Sequence, residues 1–243
     1  MFLFLFIIRI FTYYENKDKK HKVVLSFDEG PSKNIHDIID ILEVYRVPAV
    51  FHFDPLNDNH RISQYLIHRL KSNNYEIGLS ITENLRNVPE EKAEKIIKKA
   101  YYKFVKLTDM VPLIVRLSRT GYDKNTIKIA NRFNIIHTTP TIDSEDIDMV
   151  NFMDHLLPSI EKEYPKFISL VLRDRLTSNI YNLPKILSKL NNVGYDITPL
   201  YSISNFNTFA IPIKKYISTT IILAEGNQGT YDIKLSNESS SDI

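Results

Sequence analysis

Val23-Val24-Leu25-Ser26-Phe27-Asp28-Glu29-Gly30-Pro31-Ser32 is the stretch whose reading decides the fold. A run rich in β-branched and apolar residues ends in two adjacent carboxylates and a Gly-Pro pair, and a helical pattern follows. Ile35, Ile38, Ile39, Leu42 and Tyr45 recur at the spacing of one helical face. The reading is a strand over Val23–Phe27, a turn, and a helix that lays one stripe on a sheet, with Ser32 or Asn34 as its cap.

The same alternation continues outward. Further strands are expected at Ala49–Phe53, Glu76–Gly78, Pro112–Arg116, Ile135–Thr138, Ile168–Leu172 and Tyr195–Thr198. Helical patterns cover Arg61–Leu70, Lys124–Phe133 and Leu183–Leu190, and the clearest one runs from Pro89 to Leu107. There Ala93, Ile96, Ile97, Ala100, Tyr101, Phe104 and Leu107 form a stripe, Glu90 and Glu91 favour the start, and Lys103 and Lys106 suit the negative end of the dipole. Short strands separated by helices mean βα units and a parallel sheet. Ser202 to Leu223 holds two apolar or β-branched runs that could add edge strands.

With 243 residues, 43% of them apolar, the chain can bury one sizeable core. The 31 basic and 29 acidic residues leave a charge of +2, so no general field draws it to nucleic acid or an anionic membrane. Cysteine is absent, which removes disulfides, thiolate metal sites and cysteine nucleophiles, so a metal would need His, Asp or Glu. Met1 to Thr12 is nearly all Phe, Leu and Ile, broken by Arg9, and a basic polar stretch follows from Glu15 to Lys22. That run is too short to span a bilayer, and it lacks the basic residue and the cleavage site of a signal peptide, so an anchor or signal and a merely hydrophobic start both remain open. The expected organisation is residues 1–21 as this segment and linker, 22–223 as one domain, and 224–243 as a polar tail carrying the sequon Asn237-Glu238-Ser239.

The opening stretch resembles the first motif of the polysaccharide deacetylase family, carbohydrate esterase family 4, also called NodB-like, in which a strand ends Thr-Phe-Asp-Asp-Gly-Pro. Val47-Pro48-Ala49-Val50-Phe51-His52-Phe53 is similar to the second strand of that family, and Tyr75-Glu76-Ile77-Gly78 to its Gly-His-Glu-Ile-Gly stretch. Arg116 opens a segment similar to Arg-Pro-Pro-Tyr-Gly, and Asp143-Ser144-Glu145-Asp146 stands where an aspartate pair is expected. Ile168 to Asp174 resembles the Ile-x-Leu-x-His-Asp strand, and Gly194-Tyr195 the last strand. The resemblance implies a distorted (β/α) barrel in a single domain, class α/β. It also implies chemistry in which zinc or another divalent cation, held by one carboxylate and two histidines, activates water against an N-acetyl group. A second carboxylate is the base and a late histidine the acid.

Carried over by position, the base is Asp28 and the ligand positions are Glu29, Ser80 and Asn84, so both imidazoles are missing. The acid falls on Arg173, which cannot give up a proton near neutrality. Arg116, Asp143 and Asp146 complete the set of candidate site residues. Leu117, Ser118 and Arg119 replace the Pro-Pro-Tyr wall. Glu29 with hydroxyl and amide oxygens would suit only magnesium or calcium, so no cofactor is expected, or zinc if the chain is active after all. Of the histidines, His52 and His137 lie on strand patterns and are expected to be hydrogen-bonded structural groups. Asp28 and Glu29 would repel each other at the barrel mouth, and Arg173, with Arg116, is placed to compensate them; the alternative is that these are ordinary charges at strand ends. The expected function is a catalytically degenerate family member, secreted or at the cell surface, that keeps a groove for N-acetylated polysaccharide such as chitin or for a protein partner. The alternatives are an active N-deacetylase with substituted ligands and a structural wall protein.

Overall fold

Strand β1 extends over His21–Gly30, beyond the apolar run at both ends. Its alternation explains why. Val23, Leu25 and Phe27 join the main apolar core, while Ser26 and Asp28 face the other way and are equally buried. A strand covered on both faces belongs to the middle of a parallel sheet. The computed structural model describes residues 21–57, 62–144, 152–163, 167–203, 223–225 and 231–233.

From β1 the chain runs through α1 (Ile35–Tyr45), β2 (Val50–Phe53), α2 (Gln64–Ser72), β3 (Glu76–Ile81), α3 (Glu90–Thr108), β4 (Ile114–Leu117), α4 (Lys124–Arg132) and β5 (Ile136–His137). It continues through β6 (Ile142–Asp143), α5 (Phe152–Glu163), β7 (Ile168–Arg173), α6 (Thr177–Val193), β8 (Tyr195–Ile197) and a 3-10 turn (Leu200–Ser202). The sheet order is β5-β4-β3-β2-β1-β7-β6, and each paired neighbour is parallel. One edge of β1 is shared: His21–Val23 pair with β8, and Ser26–Gly30 pair with β2. The sheet curls strongly enough that Arg116 on β4 reaches Ser26 on β1, across β3 and β2. Among the described residues β5 and β6 do not pair, so the barrel is open along that seam. This is the distorted (β/α) barrel expected from the sequence. Two compact units divide the chain, Met1–Ser202 and Ile203–Ile243. In the second, β9 (Leu223–Glu225) and β10 (Tyr231–Ile233) form an antiparallel pair. The runs from Ser202 to Leu223 lie almost wholly outside the described residues, as do Met1 to Thr12 and the sequon.

Several boundaries differ from the expectation for physical reasons. α1 begins after Asn34, yet the Asn34 side chain caps nothing and instead donates to the Asp174 carbonyl at 3.0 Å. In α3 the buried face ends in Val105 and Thr108 rather than Leu107, because Thr108 Oγ1 donates to the Phe104 carbonyl and turns inward. α6 starts at Thr177, well before Leu183, and carries Pro184 in its interior. Ile180, Leu183, Ile186, Leu187 and Leu190 are buried along it, and this packing outweighs the lost backbone donor. β6 and α5 were not expected. β6 is two residues long, too short for any periodicity to register.

The inner face of the sheet is unusually polar, with Ser26, Asp28, His52, Ser80, Arg116, Asp143, Ser169 and Arg173 all buried. Gly78 makes room for it, because a Cβ there would stand 2.6 Å from His52 Cδ2 and 2.7 Å from Ile114 Cγ1. Gly78→Ala is therefore expected to destabilise the fold by roughly 1–3 kcal/mol through overpacking. The midpoint of urea denaturation checks this, and an unchanged midpoint would show that the lumen has slack.

Candidate functional site

The site lies at the carboxyl ends of the strands, where the loops of a (β/α) barrel gather. It is built first by an irregularity. In the β1–β2 pairing Phe27 faces Phe51 but Gly30 faces Phe53, so Asp28 and Glu29 together oppose His52. This bulge puts Glu29 at φ 64°, a left-handed conformation that costs a residue with a Cβ on the order of 1 kcal/mol. The next loop is pinned by Asp174, whose carboxylate accepts from the Ser32 N–H at 2.6 Å and whose carbonyl accepts from Ser32 Oγ at 3.0 Å. Gly30 is needed beside it, since a Cβ would stand 2.6 Å from Asp174 Oδ2.

Asp28 is 1% exposed and held from both sides. His52 Nδ1 lies 2.8 Å from Oδ1, and Arg116 Nε lies 2.9 Å from Oδ2 in an ionic contact whose N–H is not aligned for a hydrogen bond. Burial by itself would raise the Asp28 pKa. Arg116 first, then His52 and Arg173, more than offset it, and the pKa falls to about 2. Burial also lowers the His52 pKa, with Arg116 and Arg173 adding to it against the pull of Asp28. An ionised carboxylate only accepts, so neutral His52 carries its proton on Nδ1 and its buried Nε2 has no hydrogen-bond partner. Arg116 is oriented by donating through Nη1 to the Thr138 carbonyl at 2.8 Å.

Arg173 closes the other side. Its Nη1 donates to Glu29 Oε1 at 2.8 Å and its Nη2 to Asp143 Oδ2 at 2.6 Å, so one guanidinium joins β1 and β6 across the end of β7. Arg175 Nε adds a longer contact to Glu29 Oε2 at 3.4 Å. Arg173 thus contacts Glu29 and Arg116 contacts Asp28, and these are ion pairs rather than separate charges at strand ends.

Above this network lies a cavity of about 270 Å³. Its charged lining residues are Asp28, Glu29 and Asp143 against Arg116, Arg119 and Arg173, so their formal charges cancel. Hydroxyls from Ser80, Thr82, Ser118, Thr138, Thr139 and Thr141 fill much of the remaining wall. Tyr122 and His137 line it too, their rings 4.4 Å apart at the centroids. His137 Nδ1 donates weakly to the Val115 carbonyl at 3.3 Å, and burial holds its pKa at about 4. Of the positions singled out in the sequence, the structure brings together Asp28, Glu29, Ser80, Arg116, Asp143 and Arg173. Asn84 is not among them: it is exposed and its Oδ1 accepts from the Arg86 N–H at 3.0 Å. Asp146 lies outside the described residues. The contact of His52 with Asp28 and the presence of Tyr122 in the wall were not anticipated. Strand alternation, which puts His52 on the face opposite Phe51 and Phe53, was the signal for the first.

The residues at the family's ligand positions do not fit a divalent metal. Glu29 is engaged by two guanidinium groups, Ser80 offers a hydroxyl, and Asn84 turns its oxygen to the backbone. Among the described residues no group of three His, Cys, Asp or Glu side chains is placed to hold an ion.

No curated protein matches the chain. Several solved structures share its fold. A carbohydrate esterase family 4 pseudoenzyme from Bacillus anthracis superposes with a TM-score of 0.62 at 16% identity, covering 74% of this chain and 64% of that one. A mutant of that pseudoenzyme with restored enzymatic activity gives 0.62 at 17%, and the chain spans 66% of its length and 74% of its own. The family 4 domain of a multidomain xylanase from the hindgut metagenome of Trinervitermes trinervoides gives 0.65 at 16%, covering 78% of this chain and 92% of that one. The family model for polysaccharide deacetylase matches residues 15–136, which carry the bulged Asp28-Glu29 turn, the inward strands and Arg116, and on that match the chain belongs to the polysaccharide deacetylase family.

Proposed function

We propose that this chain binds N-acetylated polysaccharide, of the chitin or peptidoglycan kind, at the cell surface or outside the cell without deacetylating it. One observation carries the reading: Arg173, which the motif order sets at the family's acid position, has its guanidinium bonded to Glu29 and Asp143. A guanidinium cannot return a proton to a leaving amine near neutral pH, and loss of a general acid alone costs on the order of a hundredfold. Asp28 is a poor base for a second reason. With a pKa of about 2 it lies far from the pH at which a base must both be ionised and hold a proton. The cavity retains what sugar recognition uses, namely a row of hydroxyls, the Tyr122 ring and charges that cancel, which suits an uncharged ligand. That a fold neighbour is described as a family 4 pseudoenzyme gives the reading a precedent.

Calorimetric titration of the full chain with short N-acetylglucosamine oligomers, alongside an acetate-release assay, tests it. Binding without acetate is expected, and Tyr122→Ala is expected to weaken binding by about tenfold or more, as loss of a stacking platform does. Acetate released in proportion to enzyme would establish the substituted-ligand hydrolase instead, and neither binding nor acetate would leave the structural reading.

The doubly held carboxylate also has a pH signature. Asp28 titrates lower in the folded state than its ordinary value of 3.8, so its stabilisation is present above that value and is lost as pH falls through about 4 to 2. Wild type should lose about 2 kcal/mol more stability than Asp28→Asn over that interval. Denaturant unfolding curves at each pH measure it, and parallel slopes would mean that Asp28 is not held as described.

A further inference from the structure

We propose that Arg173 is the resident cation of this site: its guanidinium is bonded to Glu29, the one carboxylate at a family ligand position, and to Asp143, and it holds the barrel mouth together in the place of a divalent ion. The proposal rests in part on the non-hydrolytic reading above, but its test reads stability rather than sugar binding, so the two can fail separately.

Three features support it. The first is the geometry of the fork, with two nitrogens of one planar group bonded to carboxylates from different strands, Glu29 at 2.8 Å and Asp143 at 2.6 Å. A single ion bridging two carboxylates makes the same kind of tie, and an ammonium, being a point charge on a flexible stem, does not reproduce a fork. The second is burial. Arg173 is 4% exposed and Asp143 6%, so neither charge can be left to water if the other is removed. The third is the backbone at Glu29, which takes a φ of 64° at the end of β1 while its carboxylate is bonded to Arg173. Arg173 also lies beside Asp28 in the β1–β7 register. The same side chain therefore ties two of the three carboxylates of the site and stands in register with the third, and a divalent ion approaching them would meet a fixed positive charge.

The experiment is thermal unfolding of the full chain after exhaustive chelation, with and without millimolar zinc, magnesium or calcium. Wild type is expected to melt at one temperature in every condition and to retain no ion by elemental analysis. Arg173→Ala is expected to melt roughly 6–20 °C lower, and Arg173→Lys to recover less than half of that loss. Calcium, added as a probe of the uncompensated carboxylates, should raise the melting temperature of Arg173→Ala and not that of wild type. Should Arg173→Ala fail to fold, Asp143→Asn keeps the test open: with Arg173 deprived of one partner it should melt below wild type, and its loss and that of Arg173→Lys should be less than additive when combined. A stoichiometric ion in chelated wild type, an Arg173→Lys variant as stable as wild type, no calcium response in Arg173→Ala, or strictly additive losses would each overturn the proposal.

Discussion

Asp28 carries a full negative charge inside a barrel that gives water almost no access to it, and the arrangement around it follows from that constraint. A buried carboxylate is tolerated only when its oxygens are matched, and here His52 and Arg116 match one oxygen each. His52 in turn needs Gly78 in the neighbouring strand to leave space for its ring, and Arg116 needs the Thr138 carbonyl to hold its fork. The polar side of the sheet is thus a connected set rather than a scatter of buried exceptions. The apolar side is ordinary, with every second residue of β1 and β7 packed beneath helices.

Glu29 extends the same constraint to the barrel mouth. The bulge that brings it beside Asp28 would set two carboxylates against each other at the end of β1. In the family's usual chemistry a divalent ion resolves that conflict and uses it to activate water. Here Arg173 and Arg175 resolve it by ion pairing, and Asp143 supplies the balancing charge. An ion pair neutralises but does not polarise a substrate carbonyl or acidify a water in the manner of a Lewis acid. The fold, the cavity and the strand-end charges do not depend on that chemistry, because barrel packing and loop chemistry depend on different residues.

Much of this was legible in the linear sequence, and the parts that were not share a cause. The Val23 to Ser32 stretch, the repeating βα pattern and the motif order led to the right barrel, because alternation and helical spacing are local properties of the chain. The roles of Ser80, Asn84 and Arg173 are read from motif order alone, and of these three the structure brings Ser80 and Arg173 to the cavity. The pairing of His52 with Asp28 was not, since the two are 24 positions apart and meet only through the β1–β2 register. β6 escaped notice because its two residues are a strand only by virtue of lying against β7. The helical pattern was legible only from Leu183, and α6 begins at Thr177 because burial of Ile180 decides the matter over local propensity.

The sequence by itself determined the fold class and the family, because each of these is a matter of residue type and pattern along one chain. Only the tertiary structure decided that the surviving charges form a closed set, with Arg116 on Asp28 and Arg173 across Glu29 and Asp143, and that Asn84 stands outside it. Which charges meet depends on strand order, register and the bulge at Asp28-Glu29, and these arise from long-range pairing that no local pattern encodes.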